Sequence, residues 1–213
     1  MLNKIKGKKM KKIYFVLLLT ILTLFTLSKE AKGQDPCDVC QSPNLCYILN
    51  FDLPDCPGVR AVICYTCAVT HLEAYFNIYI ENCCPGLETQ AYDYARDWVL
   101  NNYAFLCGNT LCNEEHALLT FVYPVCARRE IINGRTYIYQ AYGDCYKRCI
   151  EVVDWCWCNC DLEGCYDEKC KDKPPYGPHV NYQVLSYTIE GNGECREDSK
   201  DPNCFLFKKC GGN

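Results

Sequence analysis

Hydrophobic residues follow a different rhythm in each third of this chain. The first stretch, Ile13 to Leu27, is unbroken: 15 residues without a charge, preceded by Lys4, Lys6, Lys8, Lys9, Lys11 and Lys12. Between Cys37 and Cys84 the apolar positions fall into short strand-like runs. These are Tyr47 to Phe51, Val59 to Tyr65, and Tyr75 to Glu81, where Phe76, Ile78 and Ile80 point one way and predict a half-buried strand. Asp55-Cys56-Pro57-Gly58 supplies a turn between the first two runs.

After Pro85-Gly86 the period lengthens. Leu87, Ala91, Tyr94, Ala95, Trp98, Val99 and Leu106 recur at helical spacing, which predicts one long amphipathic helix over residues 87–107. Gly108 stands where a left-handed residue ends such a helix. Glu88, Asp93 and Asp97 read as its hydrated side, and Trp98 as part of its apolar face.

Two-residue alternation then returns. Asn133-Gly134 lies between the β-prone runs 126–132 and 135–140, and this pair favours a type I′ hairpin because both central residues need positive φ. Leu118 to Tyr123 predicts a strand. So does Ile150 to Trp157, with Ile150, Val152, Cys156, Cys158 and Cys160 expected on one side. Residues 171–179 are a proline-rich connector, and Val180 to Glu190 a last long strand closed by Gly191-Asn192-Gly193. The expected fold is α+β and strand-dominant: disulfide-rich antiparallel sheets with the single helix packed on them, because a sheet needs one face covered. The expected organisation is a leader at 1–33, a cysteine-rich domain at 34–170, the connector, and a cysteine-stapled segment at 180–213 packed on the same domain.

The positive run followed by the apolar stretch is the order of a secretory signal. Fifteen apolar residues are short for a spanning helix, which needs about 20. Ala31-Lys32-Gly33 then places the expected cleavage before Gln34, with a retained anchor as the alternative. Cleavage changes the charge of the protein. The remaining chain has 14 basic and 25 acidic residues, a net charge of −11 against −4 for the whole. That surface repels phosphate backbones and anionic lipid, so neither nucleic acid nor a membrane is an expected partner of the mature chain. All 21 cysteines follow the leader, a density that reads as a disulfide scaffold in an oxidising compartment. An odd count leaves at least one sulfur without an internal partner, which opens the way to self-assembly through that cysteine.

Several motifs invite chemistry. Cys37-x-x-Cys40 and Cys64-x-x-Cys67, 23 residues apart, have the spacing of a four-thiolate zinc site, the alternative to disulfides for these residues. Cys156-Trp157-Cys158-Asn159-Cys160, with Cys165 and Cys170, suits a soft metal or a crossing point of several disulfides. Redox use of Cys64 and Cys67 would want a helix starting at Cys64, and a strand runs into it instead. His71-x-Glu73 has half of a zinc-deaminase motif, with its Pro-Cys-x-x-Cys half on the wrong side, at Pro36 to Cys40. For hydrolysis the inventory is His116 beside Glu114 and Glu115, and the Asp93/Asp97 pair.

The chain holds 17 tyrosines, 16 of them after the leader, and tyrosine-rich sheet surfaces suit protein or carbohydrate contact. The expectation is a secreted or surface-exposed, non-enzymatic protein without a cofactor, acting as a binding module or a subunit of an extracellular assembly. A metal-binding protein built on the cysteine clusters is the alternative, and a secreted hydrolase the third reading.

Overall fold

The computed structural model describes residues 35–41, 43–159, 179–195 and 204–211. The leader, the connector up to residue 178, and Cys160, Cys165 and Cys170 lie outside the described residues. Residues 1–38 and 39–213 form separate units, and every strand and the long helix belong to the second.

Nine strands and one long helix make up the described fold, and strand dominates. Strands β1 (Leu45–Leu53), β2 (Cys56–Cys67), β3 (Glu73–Glu81), β4 (Ala117–Pro124), β7 (Arg148–Cys158) and β8 (His179–Glu190) form a six-stranded sheet in the order β1-β2-β3-β4-β7-β8. The smaller sheet has the order β6-β5-β9, from β5 (Cys126–Ile132), β6 (Arg135–Gln140) and β9 (Phe205–Leu206). The β5–β6 hairpin turns at Asn133 and Gly134, with φ of 51° and 75°, the backbone that an Asn-Gly pair tolerates.

All sheet pairings are antiparallel except β3 with β4, which run parallel. The helix α1 (Glu88–Cys107) is the connection between them, because parallel neighbours need a crossover long enough to bring the chain back. Gly108 ends it at φ 108°, where its N–H still donates to the Ala104 carbonyl at 3.2 Å.

α1 covers one face of the large sheet. Trp155 of β7 donates its indole N–H to the Leu100 carbonyl at 2.8 Å, and its ring meets Tyr103 edge-on at 4.6 Å. Tyr103 also meets Phe76 at 6.3 Å, and Phe76 stacks on Phe121 of β4 at 5.3 Å. At the flank of the helix, Trp98 stacks on Tyr47 at 4.8 Å and Tyr94 on Phe51 at 4.4 Å. Phe76, Tyr103, Phe121 and Trp155 are fully buried, each contributing a large apolar area to the core.

Two charged residues sit inside this layer, and they correct the expected pattern. Glu151 of β7 is 2% exposed and faces Arg96 of the helix, whose Nε lies 3.1 Å from its carboxylate. The side of β7 toward the helix is therefore Cys149, Glu151, Val153 and Trp155, while Ile150 and Val152 share the other side, as alternation along a strand requires. Burial works against the Arg96 charge, but the hydrogen bond and charge of Glu151 outweigh it and raise its pKa. Glu88 is likewise buried rather than hydrated. It accepts a hydrogen bond from the Gly86 N–H at 2.8 Å and lies 3.2 Å from Arg129 Nε.

After β8 the described residues 191–195 and 204–211 hold one short strand, β9, and cross-links tie them down. Cys126–Cys195, Cys145–Cys204 and Cys149–Cys210 fasten them to β5, to the segment before β7, and to β7. Thr89 donates to the Phe207 carbonyl at 2.8 Å, and Lys208 reaches Asp93 at 2.6 Å.

Candidate functional site

β3 and β4 pair only from Glu73 and Leu118 to Asn77 and Val122. Beyond that point β3 continues to Glu81 and β4 to Pro124, so the edge of β3 that faces β4 has no ladder partner there. Its backbone N–H and C=O groups must find other partners. A pocket of about 290 Å³ opens at this parting of the strands.

Alternation decides what the pocket floor presents. Phe76, Ile78 and Ile80 turn their side chains toward the helix, so Asn77 and Tyr79 project from the opposite face. Cys64 of β2 lies directly beside Asn77 in the ladder. From Cys64 a disulfide reaches up to Cys40, and this bond holds the segment of Val39, Gln41 and Asn44 as one wall.

The other wall is the segment from Gln140 through Tyr142 to Tyr146, after β6. The Cys145–Cys204 disulfide anchors it, and the turn after β8 packs behind it. A Cβ on Gly193 would come within 2.5 Å of the Cys145 carbonyl carbon, and one on Gly191 within 2.3 Å of the Tyr146 oxygen. Only glycine permits that approach, and the Gly193 N–H uses it to donate to the Tyr146 carbonyl at 3.0 Å. Both walls are thus fixed by covalent bonds and backbone contact.

The lining sets polar side chains, neutral apart from one arginine, among apolar ones such as Ile78, Ile80, Val122, Ile138 and Phe207. Asn77 and the hydroxyls of Tyr79, Tyr142 and Tyr146 have no hydrogen-bond partner among the described residues. Asn44 accepts from the Thr66 hydroxyl at 2.6 Å through its Oδ1, which leaves its amide N–H groups. Arg148 is the one charged residue of the lining. Glu190 neutralises it, accepting from its Nε at 2.7 Å. Burial, with Tyr142 adding to it, lifts the Tyr79 phenol above its ordinary pKa, so it stays a neutral donor and acceptor.

The residues singled out in the sequence lie elsewhere, or serve structurally. Cys40 is bonded to Cys64 and Cys67 to Cys107, and Cys37 is also disulfide-bonded. The four-thiolate alternative is therefore corrected: these sulfurs are shared between oxidised pairs and hold no thiolate for zinc, and the two Cys-x-x-Cys motifs pair outside themselves. In the other cluster Cys156 bonds Cys112, and Cys158 is disulfide-bonded. Among the described residues no group of three or more metal-ligating side chains converges.

Cys83 is the free thiol of the described residues. Setting it aside leaves 20 cysteines, an even number. Its side chain is fully buried, and burial, helped by the Glu88 charge, pushes its pKa up to about 11, which keeps it in the unreactive thiol form. The neighbouring Cys84 bonds Cys56.

His116 pairs with Asp154 of β7, not with Glu114 or Glu115. Its Nδ1 lies 2.9 Å from the Asp154 carboxylate and its Nε2 3.2 Å from the Cys112 carbonyl. Both ring nitrogens face acceptors, an arrangement that favours the protonated ring, and the hydrogen bond to Asp154 raises its pKa. Asp93 meets Lys208, and Asp97 meets Arg96. None of these groups lines the pocket.

Sequence reasoning missed the pocket residues themselves. The alternation of β3 already separated Asn77 and Tyr79 from the core positions, and the tyrosine content pointed to contact surfaces. Nothing in the spacing related Asn77 to Tyr142, which only the strand split and the two disulfides bring together.

The fold and site define a class: a disulfide-strapped, helix-on-sheet domain with a neutral, tyrosine- and amide-lined pocket. No protein-family model matches the chain, and neither a curated protein nor a solved structure matches it. Among the described residues no helix is long and apolar enough to cross a membrane.

Proposed function

We propose that this chain is an exported, non-enzymatic binding module that takes its ligand in the pocket where β3 and β4 part. One observation carries the reading. Asn77 and three tyrosine hydroxyls without partners among the described residues meet in one pocket, and its two walls are held by separate disulfides. These polar side chains are open to solvent, whose hydrogen bonds a ligand can replace, and a pocket whose walls are already ordered binds without the cost of arranging them. The cysteine density and the leader pattern support export.

The hydrolase reading has less behind it, since His116, Asp93 and Asp97 each face a structural partner outside the pocket. Self-assembly through Cys83, the free thiol of the described residues, would require this buried side chain to leave the core.

A ligand screen by thermal shift tests the proposal, using neutral sugars, acidic sugars, basic peptides and divalent cations against the chain and its Asn77→Ala and Tyr142→Ala variants. A stabilising ligand whose effect both substitutions abolish supports it. Stabilising ligands that are indifferent to both substitutions overturn it.

A further inference from the structure

The pocket's own chemistry selects among ligand classes, and this step rests on the proposed binding role of that pocket. We infer that the ligand is a neutral saccharide, with one sugar ring seated between the Tyr142–Tyr146 wall and the Asn77–Tyr79 floor.

Charge removes the first alternatives. No carboxylate lines the pocket, so an ammonium or a metal cation finds no counter-charge. An acidic ligand finds only Arg148, which already holds Glu190 through its Nε at 2.7 Å. The surplus of acidic residues over the remaining chain repels polyanions before they arrive. A ligand without net charge is what remains.

Polarity removes the opposite class. An aliphatic ligand or a steroid would bury Asn77, the Asn44 amide N–H groups and the phenols of Tyr79, Tyr142 and Tyr146 against carbon, and each unmade hydrogen bond would weaken it. Amide and phenol groups donate and accept, and so does every sugar hydroxyl. The match does not require a particular proton arrangement on either side, which suits a ring carrying several hydroxyls.

The aromatic rings account for the rest of a sugar. A pyranose has C–H faces as well as hydroxyls, and tyrosine offers a rigid apolar ring with a polar tip. Tyr142 is 73% exposed, so its ring is open to contact with a ligand at the mouth of the pocket. The Arg148 guanidinium sits 5.8 Å from the Tyr146 ring centroid, which steadies that ring in the wall. A volume of about 290 Å³ stands near the lower end of small-ligand sites, about 300 Å³, and suits one ring rather than a folded peptide. The open side of the pocket leaves room for the saccharide to continue beyond it.

Isothermal titration combined with saturation-transfer NMR tests the class. The probes are glucose, galactose, mannose, N-acetylglucosamine and their disaccharides, with sialic acid as the anionic control and tetralysine as the cationic one. The expected result is that at least one neutral saccharide binds, that Asn77→Ala and Tyr142→Ala each weaken it by about tenfold, and that both controls fail to bind. Tyr142→Phe keeps the ring and loses the hydroxyl, so it should fall between wild type and Tyr142→Ala. Unchanged melting temperatures for the variants show that the loss is one of contact and not of folding. Saccharide binding that ignores all three substitutions overturns the inference, as does the absence of any neutral saccharide binding. If sialic acid or tetralysine binds instead and the substitutions abolish it, the pocket reading stands and the saccharide class falls. If no probe responds to the substitutions, both fall.

Discussion

The two faces of the large sheet are made by the same strands and obey different physics. Toward α1, Phe76, Phe121 and Trp155 lie fully buried with Tyr103, and the buried charges of Arg96 and Glu151 neutralise each other. On the opposite face Asn77 and Tyr79 project into a pocket with open hydrogen-bonding capacity. Hydrophobic burial holds the first face together, whereas Cys40–Cys64 and Cys145–Cys204 shape the second. Cross-links thus free a surface from the duty of packing. Walls held by disulfides can keep polar residues facing outward, where a domain lacking them would have had to use apolar contact.

The largest expected effect is on the covered face. Glu151→Ala leaves the Arg96 guanidinium, with 13% of its side chain exposed, without its buried partner and with the exposed Asp97 alone beside it, and should cost about 3–5 kcal/mol in chemical denaturation. Replacing both partners together, Arg96→Met with Glu151→Leu, should be close to neutral or stabilising. A double variant as unstable as the single one would mean that the pair contributes something beyond mutual neutralisation.

Cys83 separates the role of cross-links from that of packing. The thiol is buried, with its pKa pushed up to about 11. Alkylation at pH 8 should leave the native chain unmodified and label one cysteine per chain after unfolding without reduction, read by mass spectrometry. Cys83→Ser, which buries a hydroxyl in that place, should cost about 1–3 kcal/mol. Labelling of the native chain at Cys83 would show that the covered layer opens around it.

The smallest effect belongs to His116, whose partner Asp154 holds the end of β7 to the loop of Cys112. Its folded pKa lies above the ordinary value of about 6.5. The stabilisation is therefore complete below pH of about 6.5 and is lost as the pH rises through the folded value. Because the His116 side chain is 41% exposed, solvent limits the effect to about 1 kcal/mol or less. Asp154→Asn should flatten this part of the stability curve, and NMR titration of the imidazole should show the raised pKa return toward its ordinary value.

Legibility in the sequence follows the same division. Elements governed by local periodicity could be read: the helix within a residue of its observed start, the one-sided row Phe76, Ile78 and Ile80, and the Asn133-Gly134 hairpin. The inward glutamates could not, since Glu88 and Glu151 look like solvent positions until Arg129 and Arg96 are brought against them from distant parts of the chain. The parallel pairing of β3 and β4 was also hidden, because a helix between two strands permits either direction of return. Disulfide connectivity is a property of the folded chain, so the Cys-x-x-Cys spacings pointed to disulfides, with a zinc site as the alternative, without revealing that Cys40 bonds Cys64 and Cys67 bonds Cys107. The pocket inherits all three obscurities, since it needs the strand split, two disulfides and the Gly191–Gly193 turn at once.

The most direct test compares neighbours in sequence, Phe76→Ala and Asn77→Ala, measured for both thermal unfolding and saccharide binding. Phe76→Ala should lower stability by about 3–5 kcal/mol, while Asn77→Ala should change it by less than about 0.5 kcal/mol and weaken binding about tenfold. Equal losses of stability in the two variants, or binding that survives Asn77→Ala unchanged, would contradict the division of the sheet into a face that holds the fold and a face that holds the ligand.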